Sequence, residues 1–198
     1  MEDQRGIRVP TAVDRKALWV VRELRLPTIV KTCVSCRTSR HHPTGKFRVN
    51  ASGKLLDVWM LIGCERCGRT SKIPVHERVH VQSLRHERLL RFEANDPVLV
   101  RELAVDAALA GRTGYRLDWG GTWELETDLP FHDLGEPVSL QVLVRFELPA
   151  PVRVDKLLTA GFGLGRPAVR ALVDAGRIRL PVAVDAKARE DFTFLVLG

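Results

Sequence analysis

Four cysteines are the residues of this chain whose spacing points most directly to chemistry. They form two Cys-x-x-Cys pairs, CVSC at residues 33 to 36 and CERC at residues 64 to 67, and the sequence has no other cysteine. Each pair can chelate a metal from one tight turn, and four thiolates complete a tetrahedral shell with no open position for water. The spacing therefore predicts one structural ion bound by Cys33, Cys36, Cys64 and Cys67.

Zinc is the predicted ion, because four thiolates at this spacing are typical of structural zinc sites. A redox pair of thioredoxin type needs only one Cys-x-x-Cys unit, so two units argue against it. Iron held as in rubredoxin uses the same ligands and is not excluded. His41 and His42 lie between the pairs and could replace a cysteine, but with four cysteines present we expect them to be solvated loop residues.

The segment between the two pairs is expected to bring them together as a β-hairpin. KFRVN and LLDVWMLI have the composition of strands, and ASGK between them has the glycine of a turn. Trp59 has apolar neighbours, so we expect it to pack beneath the sheet rather than to stack on a base. Arg48 is expected either to contact a ligand or to pair with Asp57 across the hairpin.

Length and hydropathy favour a globular protein. With 198 residues, 45% of them hydrophobic and 28% charged, the chain can bury a core in one to three small domains. No apolar run approaches the roughly 20 residues of a membrane helix. The start, MEDQRGIRVP, lacks a signal-peptide pattern, so we expect a cytoplasmic protein with no membrane partner, in which paired cysteines bind metal rather than form disulfides.

Charge is distributed unevenly along the chain. Basic residues outnumber acidic ones by 15 to 6 in residues 1–75 and by 8 to 5 in residues 150–198, whereas acidic residues lead by 13 to 8 in residues 76–149. Two basic ends fit a polyanionic partner, unless the charges are simply solvated. In the cysteine region the candidate phosphate contacts are Lys46, Arg48, Lys54, Arg66 and Arg69.

The middle of the chain is predicted to contain helices followed by strands. One helix is expected in NDPVLVRELAVDAALAGR, with Asp96 as its N-cap and Gly111 as its stop, and another in PVHERVHVQSLRHERLLRF. YRLDW, TWELET and VSLQVLVRFEL are predicted strands, the last because apolar residues alternate from Val138 to Leu148.

The last 49 residues have the pattern of a helical hairpin followed by short strands. Val154, Leu157 and Leu158 form the apolar face of a first helix, and a second helix starts at Pro167 and stops at Gly176. RIRL and FTFLVL follow as strands. This order resembles the S4 RNA-binding domain of a ribosomal protein and of pseudouridine synthases.

The residues that carry this resemblance are Arg153, Asp155 and Leu158 in the first helix, then Leu164, Arg166, Arg170, Leu172 and Gly176. The resemblance implies that the second helix and the loop before it face structured RNA. The RNA-binding residues it implies, with their basic neighbours, are Arg153, Lys156, Arg166, Arg170, Arg177 and Arg179. Guanidinium groups one helical turn apart can each pair with phosphate oxygens.

The N-terminal half resembles a second family. PTIVKTCVSC, GKFRVNASGKLLDVWMLIGCERC and IPVHERV look like a bacterial family of unknown function, domain of unknown function 1062, common in actinobacteria and firmicutes, in which a zinc ribbon precedes a helical region. The resemblance spans residues 18 to about 110. It implies a cytoplasmic bacterial zinc-ribbon protein and brings no assigned activity.

These patterns together predict an α+β protein. Its expected parts are a flexible N-terminus (1–17), a zinc ribbon of small antiparallel β structure (18–75), a helical segment with β-strands (76–149) and an S4-like helical hairpin with short strands (150–198). The predicted function is binding of structured ribosomal or transfer RNA, or of the ribosome. A zinc-ribbon adaptor for another protein and a DNA-binding transcription-associated factor are the alternatives. GxxxxGK[ST], GxSxG and HExxH motifs are absent from the sequence, so we expect no enzyme.

Overall fold

The chain folds into two compact units. The computed structural model describes residues 15–127 and 139–197. One unit comprises the described residues of Met1–Leu24 and Trp123–Gly198, and the other is Arg25–Thr122. The described residues form five α-helices and twelve strands in three sheets, so the predicted α+β class is confirmed.

The elements follow one another in a simple order. In chain order they are β1 (Arg15–Glu23), β2 (Thr28–Val30), β3 (Arg40–Ser52), β4 (Leu55–Cys64), β5 (Thr70–His80), α1 (His86–Glu93), α2 (Pro97–Ala104), α3 (Ala107–Thr113), β6 (Arg116–Asp118), β7 (Trp123–Thr127), β8 (Leu140–Phe146), β9 (Val152–Arg153), α4 (Val154–Phe162), α5 (Arg166–Asp174), β10 (Ile178–Arg179), β11 (Lys187–Ala188) and β12 (Phe192–Val196). In the described parts of the chain no helix is long and apolar enough to cross a membrane.

The unit Arg25–Thr122 is an antiparallel sheet in the order β5-β4-β3-β2-β6, with three helices against it. The predicted hairpin is present as β3 and β4, and Gly53 at φ 61° lies in its turn. Val58, Met60 and Ile62 of β4 are fully buried, because alternate strand residues face the same side. They share one core with Phe92 and Leu99 from α1 and α2.

The helix expected between Asp96 and Gly111 is in fact two helices. The carboxylate of Asp106 accepts hydrogen bonds from the N–H groups of Ala108 and Leu109 at 2.8 and 2.9 Å, and so begins a new helix after the break. That helix continues past Gly111 and ends at Gly114, whose φ of 72° is left-handed. Asp96 caps the first helix as predicted.

The prediction of a helix at the start of PVHERVHVQSLRHERLLRF is wrong. Residues up to His80 belong to β5, which pairs with β4, and the α-helix begins only at His86. Ile73 and Val75 are buried on the core face, two residues apart. The period of a strand therefore prevails here over the weak helical spacing of the segment.

The other unit is built on a mixed sheet in the order β10-β12-β8-β1-β7. β1 runs parallel to β8 and antiparallel to β7, and a separate pair joins β9 to β11. Trp19 of β1 is fully buried, and the ring centroids of Phe162 and Phe194 each lie 5.2 Å from it. These rings form the centre of the core.

This sheet explains why the predicted divisions at residues 18, 76 and 150 do not match the two units. β1 begins at Arg15 inside the segment expected to be flexible, and residues 1–14 lie outside the described residues. The expected C-terminal helices and strands are present as α4, α5, β10 and β12, but β12 pairs with β8 and so shares a sheet with β1. Val138 of the predicted β8 strand lies outside the described residues.

We expect Gly161→Ala to lower the free energy of unfolding by about 2 kcal/mol, because the indole of Trp19 occupies the space that a Cβ on Gly161 of α4 needs. The matched control is Gly111→Ala in α3, where an added Cβ meets no atom within 4 Å. That control should be more stable than the wild type by roughly 0.5–1 kcal/mol. Urea unfolding measures both, and a Gly161→Ala variant as stable as the wild type would contradict the contact.

Candidate metal centre

The two cysteine pairs lie in turns with matching backbone geometry. In each turn the backbone N–H of the first cysteine donates to the carbonyl of the residue five positions later. The carbonyl of that cysteine accepts a hydrogen bond from the N–H of the residue four positions later. The distances are 2.7 and 3.1 Å from Cys33 and 3.0 and 3.0 Å from Cys64. The residue after each pair is left-handed, with φ of 69° at Gly68 and 62° at Arg37. An arginine in this conformation costs about 1 kcal/mol relative to glycine, so the shared turn geometry prevails over backbone preference.

The four cysteine sulfurs lie within 4.8 Å of one another. The Sγ atoms of Cys33 and Cys67 are 3.8 Å apart, and those of Cys36 and Cys64 are 3.6 Å apart. A tetrahedron with metal–sulfur bonds of about 2.3 Å has edges of about 3.8 Å. The cysteines predicted from the sequence are thus brought together, and they can bind one metal ion.

Strand pairing places both turns at one end of the sheet. The first turn connects β2 to β3, and the second connects β4 to β5. His41 of β3 is directly opposite Cys64 of β4, so the register of the hairpin sets the distance between the two pairs. The signal for this in the sequence was the strand pattern between the pairs.

Backbone N–H groups favour the thiolate at the first cysteine of each turn. The N–H groups of Cys36 and Ser35 lower the pKa of Cys33 to about 6, and the N–H groups of Cys67 and Arg66 lower the pKa of Cys64. The N–H of Thr38 also favours the thiolate of Cys36, but burial and the neighbouring sulfurs outweigh it and raise that pKa to about 11. A bound cation removes this conflict among adjacent thiolates.

Arg40 connects the second cysteine turn to β2 and β6, and the sequence analysis did not predict this role. Its guanidinium donates to the carboxylates of Glu65 at 3.0 Å and Asp118 at 3.1 Å, and to the hydroxyl of Thr28 at 3.0 Å. Glu65 lies in the second turn, whereas Asp118 lies in β6. The N–H of Gly120 and the guanidinium of Arg40 lower the pKa of Asp118. No spacing in the sequence relates residues 40 and 118.

His41 and His42 lie in β3 and not in a loop; His42 is exposed, as expected, whereas His41 is buried. His41 is 1% exposed, and its two ring nitrogens make no hydrogen bond within the part of the chain that the structure describes. His42 lies beside Gly63, where an added Cβ would come within 3.1 Å of the His42 ring. The described cluster of ligand atoms contains the four cysteines and neither histidine.

The candidate basic residues of this unit are all exposed. In the described ranges the side chains of Lys46, Arg48, Lys54, Arg66 and Arg69 make no ion pair or side-chain hydrogen bond. They do not form one cluster, because Arg66 and Arg69 lie at the metal end of the sheet and Lys54 lies at the opposite end of the β3–β4 hairpin, about 30 Å away along the strand.

Trp59 faces away from the core, which corrects the expectation that it packs beneath the sheet. Its neighbours Val58 and Met60 are fully buried, so Trp59 between them lies on the opposite face and is partly exposed. Arg48 is directly opposite Trp59, and Asp57 is opposite Asn50; among the described residues no ion pair joins Arg48 to Asp57. The Nζ of Lys72 lies 4.9 Å from the Trp59 ring.

In the other unit, two of the predicted RNA-binding residues are committed to a buried carboxylate. Asp155 is 0% exposed and accepts hydrogen bonds from Arg153 at 3.0 and 2.8 Å. The Nε of Arg166 lies 3.2 Å from the same carboxylate. Arg153 accounts for most of the lowering of the Asp155 pKa, and Arg166 adds to it. Both guanidinium groups therefore stabilise the start of α4.

The remaining predicted residues of the C-terminal segment differ in their surroundings. The Nε of Arg177 donates to the carbonyl of Leu197 at 2.7 Å, and the Nζ of Lys156 lies 4.9 Å from the Trp123 ring. Arg170 and Arg179 are exposed, and their side chains make no ion pair within residues 15–127 and 139–197. These last two are the most available for a ligand.

The molecule is thus an α+β protein with a four-cysteine site that can bind one metal ion. The model of a family described as "Protein of unknown function (DUF1062)" matches residues 49–184, so the chain belongs to this family. The match includes the second cysteine pair and both α4 and α5, beyond the stretch to residue 110 on which the resemblance rested. No curated protein and no solved structure is significantly similar to the chain.

We expect Asp155→Asn to lower the free energy of unfolding by about 2 kcal/mol at pH 7, because charged hydrogen bonds to Arg153 are lost. The folded-state pKa of Asp155 lies below its unfolded value, so the stabilisation is present above about pH 4 and is lost as the pH falls through the folded pKa. The difference from the wild type should therefore shrink below pH 4. Urea unfolding across pH measures it, with exposed Asp174→Asn as the control, and a pH-independent difference would contradict the pairing.

Proposed function

We propose that this protein binds RNA through exposed basic side chains of the unit Arg25–Thr122, whose sheet is held together by a structural zinc ion. The observation that carries the proposal is the set of exposed cations on β3, its hairpin turn and the second cysteine turn that make no ion pair in the described residues. Uncompensated basic side chains favour a polyanion, and phosphate contacts are the usual source of affinity for nucleic acids.

Zinc as a structural ion is supported by the ligands themselves. Four thiolates leave no open coordination position, so the ion has no place for substrate or activated water. Two turns joined by a β-hairpin are the arrangement of a zinc ribbon, the fold that we propose for the cysteine end of this unit. Iron can take the same four sulfurs, and metal analysis distinguishes the two.

Two arginines of the second cysteine turn support an anion-binding surface at the metal end. Glu65 and Asp118 are the carboxylates that Arg40 contacts, and both ion pairs are about 3 Å long. Arg66 and Arg69, in contrast, are left without an acidic partner among the described residues. Arg66 and Arg69 are thus the side chains of the second turn that can contact an anion.

We also propose that the C-terminal hairpin of α4 and α5 is S4-like and adds to RNA binding. The helix–helix–strand order supports this, and Arg170 and Arg179 are exposed on it. Arg166 is 56% exposed at its side chain and can still contact a phosphate while its Nε pairs with Asp155. Arg153 contributes through Asp155 and stabilises the hairpin instead.

Docking on a protein is a second candidate, because one observation favours it. Val34 is 69% exposed at the tip of the first cysteine turn. An exposed apolar side chain on a rigid turn can insert into a pocket of a partner. This adaptor function and DNA binding are the outcomes that the RNA-binding experiment below separates.

We expect Cys33→Ser to lose the metal and to unfold the unit Arg25–Thr122, because metal binding and folding are linked at such sites. The wild type should contain one zinc ion per chain by elemental analysis. Ser35→Ala, in the same turn, is the control and should keep both metal and fold, since only the backbone of Ser35 contacts the sulfur. A Cys33→Ser protein that stays folded without metal, or a wild type that carries iron, would refute the zinc proposal.

We expect zinc-loaded protein to bind a structured RNA hairpin more tightly than duplex DNA of equal length across a salt series. Replacing Arg66 and Arg69 together with alanine should lower RNA affinity about tenfold and reduce the slope of log K against log salt by roughly 1.4–1.8, as expected for two lost phosphate contacts. Arg170→Ala with Arg179→Ala tests the C-terminal hairpin in the same way. Lys187→Ala with Arg189→Ala is the control, because it also removes two exposed positive charges.

Two other results have clear meanings in that experiment. Equal and weak binding of RNA and DNA that disappears with salt would mean that the positive charge is generic, and the adaptor function would then stand. Tighter binding of duplex DNA would favour the transcription-associated alternative. Unchanged affinity in both double variants would exclude these surfaces.

A further inference from the structure

We infer that the exposed face of the sheet formed by β3, β4 and β5 binds an unpaired RNA nucleotide, whose base stacks on Trp59 while its phosphates contact Lys72 and Arg48. This inference rests on the proposed RNA binding and narrows its ligand from RNA in general to unpaired RNA. It assigns a role to a tryptophan that the core does not use.

The strand register places these three side chains side by side. Arg48 of β3 and Pro74 of β5 are the cross-strand partners of Trp59 on either side. Lys72 is the partner of Leu61, two residues further along β4, and its Nζ reaches to 4.9 Å from the Trp59 ring. Directly opposed residues share a face of the sheet. An indole, a guanidinium and an ammonium group thus occupy one side.

This side of the sheet is the one that the helices leave uncovered within residues 25–122. Phe92 and Leu99 of α1 and α2 pack with Val58 and Met60, on the opposite face. Trp59 therefore has no apolar layer from these helices over it. A large aromatic ring placed between two cations, outside the core, has the composition of a platform for nucleic-acid bases.

The local charges fit a single strand of nucleic acid. Asp57 also lies on this face, but its carboxylate accepts the backbone N–H of Arg78 at 2.7 Å and does not pair with Arg48. Arg48 is exposed and makes no ion pair in the described ranges. Every base has a flat face for stacking, whereas bases within a duplex are already stacked and hidden. The platform should therefore bind unpaired and not paired nucleotides.

Lys72 does not block the ring. The contact between an exposed ammonium and an indole is weaker than the stacking of a base on that indole. The lysine stem has four carbons, so the ammonium can move from the ring to an adjacent phosphate as the base arrives. The contact seen in the free protein thus holds the cation where the ligand needs it.

The test compares zinc-loaded wild type with Trp59→Ala, Trp59→Phe and Arg48→Ala. The probes are an unstructured RNA of about 12 nucleotides and the same RNA annealed to its complement, measured by fluorescence anisotropy at several salt concentrations. Trp59→Ala should weaken single-strand binding about tenfold at every salt concentration, because stacking is not ionic, and should change duplex binding by less than about twofold. Trp59→Phe should keep binding within about threefold, since it keeps a stacking ring.

Arg48→Ala should act differently. It should reduce the slope of log K against log salt by roughly 0.7, the value for one lost single-strand phosphate contact. Zinc content and circular dichroism show whether each variant is folded, and if Trp59→Ala is not, an Arg48→Ala variant with an unchanged salt slope would contradict the inference. Single-strand binding that is the same in wild type and Trp59→Ala would overturn this inference and leave the proposed RNA binding intact. A wild type that binds neither probe would overturn both.

Discussion

Four cysteine sulfurs within 4.8 Å of one another are the constraint on which the unit Arg25–Thr122 depends. Four thiolates this close would repel strongly, so the neighbouring sulfurs and burial raise the pKa of Cys36 to about 11, and a bound cation would allow all four sulfurs to ionise. β2, β3, β4 and β5 all begin or end at the two cysteine turns. A bound ion would therefore fix one end of four strands at once, and the helices cover one face of the resulting sheet.

The other unit also contains a buried charged group, which is compensated by oppositely charged side chains. Asp155 is buried at the start of α4, and the guanidinium groups of Arg153 and Arg166 compensate it. Removing one member of such a set leaves an uncompensated charge, whereas the intact set is roughly neutral in free energy against an apolar substitute. Its role is to define where α4 and α5 meet, which is a matter of geometry more than of net stability.

The parts that could be predicted from the sequence are those with local signals. The cysteine spacing, the hairpin turn at Gly53 and the caps at Asp96 and Gly176 each depend on residues within a few positions. The pairing of Arg40 with Asp118 and that of β1 with β8 join residues about 80 to 125 positions apart, and no local pattern encodes them. The prediction for Trp59 was wrong because it rested on the apolar neighbours alone and not on the two-residue period of a strand. Successive residues of β4 face opposite sides of the sheet.

The same distinction decides how the basic residues should be interpreted. Arg153 and Arg166 belong to the S4-like pattern, and both contact Asp155, which belongs to that pattern as well. A sequence pattern also records residues that the fold itself needs. These two arginines are such residues, because they pair with an internal carboxylate. Contacts to a polyanion require charge that the fold has not neutralised. In this protein such charge lies on Arg170 within the pattern, and outside it at the second cysteine turn and on the exposed face around Trp59.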